Sequence, residues 1–88
     1  MKNITTLNTE GRKFYIVKND DGFYCAIEDK FVDENGKLTQ KLSGLQMNAN
    51  KDVADCINQT MNKCRIDTLV NNGMDVTTAI QKVILGIG

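Results

Sequence analysis

The sequence predicts an α+β domain: a three-stranded antiparallel β-meander, then a long helix packed on the sheet, then a short C-terminal helix (β-β-β-α-α). Two turn signals that end in glycine, at residues 19–22 and 33–36, divide residues 12–43 into three short runs of β type. After residue 50 the apolar period changes from about two to about 3.6 residues, which indicates helix.

The size and composition are those of one small folded domain. The chain has 88 residues, of which 41% are hydrophobic and 25% are charged. Residues 1–11 are polar and rich in Thr and Asn, so we interpret them as a flexible N-terminal arm or a weak edge strand. Residues 12–88 then form the single α+β domain, which is expected to fold alone or as a small oligomer.

The first two runs differ in their apolar pattern. Residues 14–17 are continuously apolar, which suggests that both faces of this strand are at least partly covered. Residues 23–32 alternate, and their odd-numbered apolar positions are Phe23, Cys25, Ile27 and Phe31. The odd-numbered face is therefore expected to be the core face, which the long helix covers.

The loop between these runs decides which side chains share a face. A two-residue loop at residues 20–21 would pair Ile16 with Cys25. It would leave an outer patch made of Tyr15, Val17, Tyr24 and Ala26. A three-residue loop with a left-handed Gly22 would instead place Phe14 and Ile16 on the outer face beside Tyr24. Both registers leave an aromatic and aliphatic patch outside.

The second turn has a preferred register. If Asn35-Gly36 is the two-residue loop of a type I′ turn, Asp33 opposes Leu38. Leu38 and Leu42 of the third run then join the odd-numbered core face, so the turn chemistry and the apolar pattern agree.

The long helix is predicted over about residues 51–71, with Asn48 or Asn50 as its N-cap and Asp52 favourable to its dipole. Its stripe, expected to cover the sheet, consists of Val53, Cys56, Ile57, Thr60, Met61, Cys64 and Thr68.

A second helix is predicted over about residues 76–85. Gly73 suits the left-handed position that ends the long helix, and Asp75 is a good N-cap for the short one. The apolar stripe of the short helix consists of Val76, Ala79, Ile80, Val83 and Ile84. A helix this short is marginal alone, so it should fold back on Ile66, Leu69 and Val70, or do so on a second subunit.

The residue types present argue against enzymatic chemistry. The chain has no histidine, which removes the commonest general base and the usual zinc ligand. Its three cysteines, Cys25, Cys56 and Cys64, show no CxxC spacing and are expected to be buried, inert thiols. The acidic pairs lie in turn signals, and no glycine-rich phosphate loop occurs. We therefore expect a non-enzymatic protein with no catalytic residue, metal or cofactor.

The balanced net charge indicates no general electrostatic attraction to nucleic acids, and the hydropathy indicates no membrane-spanning segment. Eleven basic residues balance eleven acidic ones, and no run approaches the roughly 20 apolar residues that cross a bilayer. Residues 1–11 lack the apolar core of a secretory signal. The expected location is the cytoplasm.

The order strand, Asp-Gly turn, strand, Asn-Gly turn, strand, helix resembles the arm-type DNA-binding domains of phage and transposon integrases. The segments concerned are residues 12–19, 22–32, 37–43 and those from 51 onward, about half of the chain. The resemblance is one of layout and implies a three-stranded sheet that presents one face to a groove. No DNA-contact residues are transferred by it.

The function that the sequence predicts is a small protein-protein interaction or regulatory module, either monomeric or a homodimer. Tyr15, Val17 and Tyr24 are the expected partner-binding residues, on the outer sheet face. Small size and the layout resemblance suggest an origin in a phage or another mobile element. The alternative is a small nucleic-acid-binding protein that uses the same face.

Overall fold

The computed structural model describes residues 2–35, residue 37 and residues 47–86. It shows the predicted α+β architecture, an antiparallel sheet followed by a long and a short helix, with strands in the order β1-β2-β3-β4. The elements are β1 (Lys2–Thr9), β2 (Arg12–Lys18), β3 (Tyr24–Glu28), β4 (Met47–Asn50), α1 (Val53–Asn71) and α2 (Val76–Ile84). A single 3-10 turn, Asp29–Phe31, follows β3.

Strand β1 forms where a flexible arm or a weak edge strand was expected. It pairs antiparallel with β2, with Leu7 opposite Phe14. The turn between them has positive φ angles at both central residues, 51° at Glu10 and 71° at Gly11, which is the type I′ conformation that matches strand twist. The sheet therefore includes a strand that the three-strand prediction omitted.

The hairpin between β2 and β3 uses the three-residue loop. Gly22 is left-handed, with φ 87°. The Asn19 N–H donates to Phe23 O at 2.8 Å, and the Gly22 N–H donates to Asn19 O at 3.1 Å. Ile16 therefore pairs with Ala26. Phe14, Ile16 and Tyr24 share one face of the sheet, as predicted for the three-residue loop.

Helix α1 covers the even-numbered face of β2 and β3, so the prediction of an odd-numbered core face under the helix was wrong. Phe14 and Ala26 are fully buried in one cluster with Cys56 and Cys64 of α1. Glu28 belongs to the even-numbered positions of β3, and a charged residue there is typical of a solvent-facing side. Its carboxylate instead lies on the helix side, where a guanidinium neutralises it.

The odd-numbered face carries a second apolar cluster. Val17, Cys25 and Ile27 are buried there, and the side chains packed around them are Tyr15, Phe23 and Val32. Both faces of β2 thus carry buried side chains, in agreement with its continuous apolar run.

The third predicted strand, residues 37–43, lies outside the described residues except for Lys37. The Asp33 N–H donates to Lys37 O at 2.8 Å, which differs from the predicted pairing of Asp33 with Leu38. The strand that pairs with β3 is β4, within residues that were predicted to be a connection, and Tyr24 lies opposite Asn50.

Helix α1 ends at residue 71 as predicted, but it begins at Val53, two residues later than predicted, and has a different cap. Asp52 is the N-cap, and its side chain accepts from the Ala54 N–H at 2.8 Å. Asn50, one of the two predicted caps, instead accepts from the Asp52 N–H at 3.1 Å. The predicted stripe is confirmed at its centre, where Cys56, Thr60 and Cys64 are fully buried.

The link between the helices is as predicted. Gly73 has φ 102°, and the N–H groups of Gly73 and Met74 donate to the carbonyls of Val70 and Leu69, which is the Schellman pattern. Asp75 caps α2 by accepting from the Thr78 N–H at 3.1 Å. Helix α2 then packs against α1 with Ala79 fully buried.

Candidate functional site

The three residues expected to bind a partner do not form one surface. Adjacent strand residues point to opposite faces, and the observed register places Tyr15 and Val17 on the odd-numbered face. Tyr24 packs against the cluster under α1, on the even-numbered face. The register separates them, because the two-residue loop that would have united them is not the loop that forms. Partner binding by any one of them stays a prediction.

Two of these residues already have partners within the chain. The Tyr15 hydroxyl donates to Asp29 Oδ1 at 2.6 Å, and this hydrogen bond raises the pKa of the phenol. Val17 is only 5% exposed. A sheet surface centred on Tyr15 and Val17 therefore offers less free apolar area than the sequence suggested.

A groove of about 920 Å³ runs between the two helices and the adjacent end of the sheet. Helix α1 supplies its longest wall, with Ile66 and Val70 as the apolar residues. The α2 wall consists of Val76, Ile80 and Ile84, and the sheet end supplies Arg12, Glu28 and Lys30. The groove thus has an apolar side along the helices and a charged side at the strand ends.

The α2 wall is the most exposed apolar surface in the part of the chain that the structure describes. Val76, Ile80 and Ile84 are spaced four residues apart, so they form one ridge along the helix. Their exposed fractions are 53%, 43% and 51%, and Leu85 just beyond is 63% exposed. Single exposed apolar residues are ordinary, but a continuous row beside a groove is a candidate interaction surface.

The charged side of the groove is organised around Arg12. Its guanidinium donates to both oxygens of Glu28, Nη2 to Oε1 at 2.6 Å and Nε to Oε2 at 3.1 Å. Nη1 donates to Asp67 Oδ2 of α1 at 3.1 Å. The hydrogen bonds from Arg12 hold the pKa of Glu28 below its usual range, although burial of that carboxyl acts in the opposite direction. Reciprocally, Glu28 raises the pKa of Arg12.

Two lysines at the rim of the groove form longer and more exposed ion pairs than Arg12 does. Lys30 Nζ lies 3.9 Å from Glu28 and Lys63 Nζ lies 3.8 Å from Asp67. Their side chains are 65% and 53% exposed, and ion pairs that open to water contribute little stability. These ammonium groups can turn toward an incoming anionic side chain at small cost.

The apolar residues of this surface were predicted from the sequence to have another role. The apolar stripe of α2 was predicted to pack on Ile66, Leu69 and Val70 of this chain or of a second subunit, whereas within the chain only Ala79 of the stripe is fully buried. A signal was present in the width of the stripe, because residues at positions 76, 80 and 84 lie on a different line of the helix from those at 79 and 83. The Arg12 network had no local signal, since its partners are 16 and 55 residues away.

The cysteines are buried, as predicted. Burial raises the pKa of Cys25, Cys56 and Cys64, so each favours the protonated thiol over the reactive thiolate. Within the described ranges, no three His, Cys, Asp or Glu side chains are grouped so that they could hold a metal ion.

Comparisons with known proteins add no family. The chain matches no protein-family model, and no curated protein or solved structure matches it. Neither α1 nor α2, the helices that the structure describes, combines the length and hydropathy that a bilayer span requires.

Proposed function

We propose that this protein is a non-enzymatic interaction module whose groove between α1 and α2 binds an amphipathic helix of another protein. The observation that carries the proposal is the exposed ridge of Val76, Ile80 and Ile84 beside Ile66 and Val70. A helix that presents apolar anchors at positions i, i+3, i+4 and i+7 is the usual complement of such a groove.

The charged side chains of the groove indicate which residues the partner helix carries beside its apolar row. Three basic and two acidic side chains line the groove, so the lining carries one net positive charge. Arg12 donates hydrogen bonds to both acids, and the more exposed ammonium groups of Lys30 and Lys63 are the cations that a partner can reach. The matching helix therefore carries Asp or Glu beside its apolar row, because opposite charges at a rim steer association and fix orientation.

The residue types support a binding role over a catalytic one. The chain contains no histidine, and burial disfavours the thiolate at all three cysteines. Three unpaired thiols also fit a reducing compartment, so the cytoplasm remains the proposed location.

The test is selection from a displayed library of amphipathic helical peptides that carry acidic, neutral or basic residues beside the apolar row. The decisive variant is Ile80→Glu, which places a charge on the ridge. Thr77→Glu is the matched control, because Thr77 is exposed on the same helix and does not line the groove. We expect enriched peptides with acidic residues beside the apolar row, whose affinity falls about tenfold or more with Ile80→Glu.

The control should change that affinity by less than about twofold. Lys63→Glu should weaken acidic peptides and spare neutral ones. If no peptide binds the wild-type protein better than the Ile80→Glu variant, the proposal fails. Circular dichroism of each variant shows whether the helices are retained.

A further inference from the structure

Strand β1 is an outer strand of the sheet that the structure describes, and no described strand pairs with its second edge. Within the described residues it pairs with β2 alone. The side chains of residues 3–6 are all exposed, including Thr5 on the face that α1 covers further in. Helix α1 therefore leaves residues 3–6 of this strand uncovered, and Asn8 is exposed as well, so another strand could approach the edge from the side.

The register shows which backbone groups point outward. In a two-residue hairpin the residues that flank the loop, here Thr9 and Arg12, exchange both hydrogen bonds. Hydrogen-bonded and non-bonded pairs then alternate, so Thr5 and Leu7 bond to β2, whereas Thr6 and Asn8 direct N–H and C=O away from it. These outward groups form a template for one more strand.

The usual protection of such an edge is weak here. Natural edge strands are kept from pairing by brevity, proline, inward charges or bulges. Residues 3–9 contain no proline and no charged residue, and the single irregularity lies between Asn3 and Thr5. Residues 5–9 are thus a regular, neutral edge. β4, by comparison, has four residues and an irregular register.

We infer that β1 pairs antiparallel with β1 of a second copy of this chain, about a twofold axis at Leu7. This register uses only the regular segment. It makes Thr6 and Asn8 of the second copy a hydrogen-bonded pair, and it places Leu7 opposite Leu7 of the second copy in a close, non-bonded pair. Leu7 is half-buried against the cluster under α1, so the pairing extends the core across the interface.

Charge next to the strand favours the antiparallel orientation of the second copy. Residues 3–9 are uncharged, and Glu10 follows the last residue of the strand. With the twofold axis at Leu7, Glu10 lies opposite Ile4 of the second copy, whereas parallel pairing in register would place Glu10 beside Glu10. The result is a continuous sheet formed by the four described strands of each copy, with both α1 helices on the same face.

Sedimentation over a concentration series tests this, because a strand-edge interface is small and its affinity is expected in the micromolar to millimolar range. Thr6→Pro removes an outward N–H and no bond to β2, so the monomer should keep its fold while pairing is lost. Thr6→Ala keeps the N–H and is the matched control. We expect a dimer for wild type and Thr6→Ala, and a monomer for Thr6→Pro with an unchanged circular dichroism spectrum.

A second readout needs no variant. Amide exchange at Thr6 and Asn8 should slow as wild-type concentration rises, while exchange at Leu7, already bonded to β2, should change much less. A wild-type protein that stays monomeric at about 1 mM overturns the inference, as does a dimer that Thr6→Pro leaves intact. The Ile80→Glu variant should still dimerise, so failure of the groove proposal and failure of this inference give different results.

Discussion

Arg12 contacts Glu28 through two hydrogen bonds, at 2.6 Å and 3.1 Å, although the two residues lie on different strands and 16 positions apart. A third hydrogen bond joins Arg12 to Asp67 of α1, and the guanidinium also lies 5.0 Å from the centroid of the Phe14 ring. One side chain therefore joins two strands and the long helix at the charged side of the groove.

This contact predicts a loss of stability in acid. Arg12 lowers the pKa of Glu28 in the folded state, so the unfolded state binds the proton more readily. The stabilisation is present above the unfolded pKa, about 4.3, and is lost as the pH falls through the lower folded pKa. Urea unfolding from neutral pH to about pH 3 measures the effect.

Glu28→Gln supplies the comparison for that titration. At neutral pH the variant should be less stable by about 2 kcal/mol, the usual contribution of hydrogen bonds to a charged group. The difference should shrink in acid, where the wild-type carboxyl becomes neutral as well. A difference that stays constant from neutral to acidic pH would show that Glu28 stabilises the fold without its charge.

Gly22 should be sensitive to substitution for a backbone reason alone. Its φ is 87°, and a Cβ added there meets no atom within 4 Å. We expect Gly22→Ala to lower the free energy of unfolding by about 1 kcal/mol, because L-residues are strained at positive φ. Gly22→Asn should cost less, since Asn tolerates this conformation better. Equal stability of the Ala variant and wild type in urea would contradict the left-handed turn.

The cap at Asp75 should control the order of α2. Its Oδ2 accepts from the Thr78 N–H at 3.1 Å and from the Thr78 hydroxyl at 3.3 Å. We expect Asp75→Ala to destabilise the helix by about 1 kcal/mol, and Asp75→Asn to keep most of the stability because the amide oxygen can accept the same bond. Amide exchange within α2 measures the change, and unchanged exchange in the Ala variant would argue against the cap.

The native thiols should react slowly with a disulfide reagent. All three cysteines are buried and their pKa values are raised, so the thiolate is scarce and hard to reach at about pH 8. We expect rapid labelling of all three only after denaturation. Thr77→Cys, which places a thiol on the exposed side of α2, supplies the fast-reacting control. Fast labelling of the native wild-type protein would contradict the burial.

Local chemistry made the helix ends predictable. Gly73 and Asp75 act through backbone groups within a few positions of themselves, so their roles follow from neighbouring residues alone. The cap of α1 was harder, because Asn48, Asn50 and Asp52 are all capable residues. The structure uses Asp52 as the cap and gives Asn50 a supporting bond.

The face of the sheet that α1 covers could not be predicted from the alternation of apolar residues along β2 and β3. β2 is apolar at four consecutive positions, and Cys25, Ala26 and Ile27 of β3 are all buried. With apolar residues on both faces, alternation could not decide which face α1 covers. Glu28 lies on the face that α1 covers because it pairs with Arg12, which is 16 positions away in the sequence.

Strand β1 was ambiguous for a different reason. Its Thr and Asn residues show no sustained alternation, so neither the arm nor the edge strand was favoured by the pattern. The positive φ angles at Glu10 and Gly11 belong to a hairpin turn whose first central residue is a glutamate. Asn or Asp at that position would have signalled the hairpin directly.

The ion pair between Arg12 and Glu28 also discriminates between strand alignments. Sliding β3 by one residue along β2 would move the Glu28 carboxylate to the opposite face of the sheet, away from the guanidinium. Arg12 would keep its bond to Asp67 but lose both bonds to Glu28, a loss that an apolar pair at these positions would not impose. Because β2 and β3 are apolar on both faces, hydrophobic burial alone rejects the slipped alignment only weakly. The ion pair thus favours the observed alignment of β2 and β3 over the slipped one.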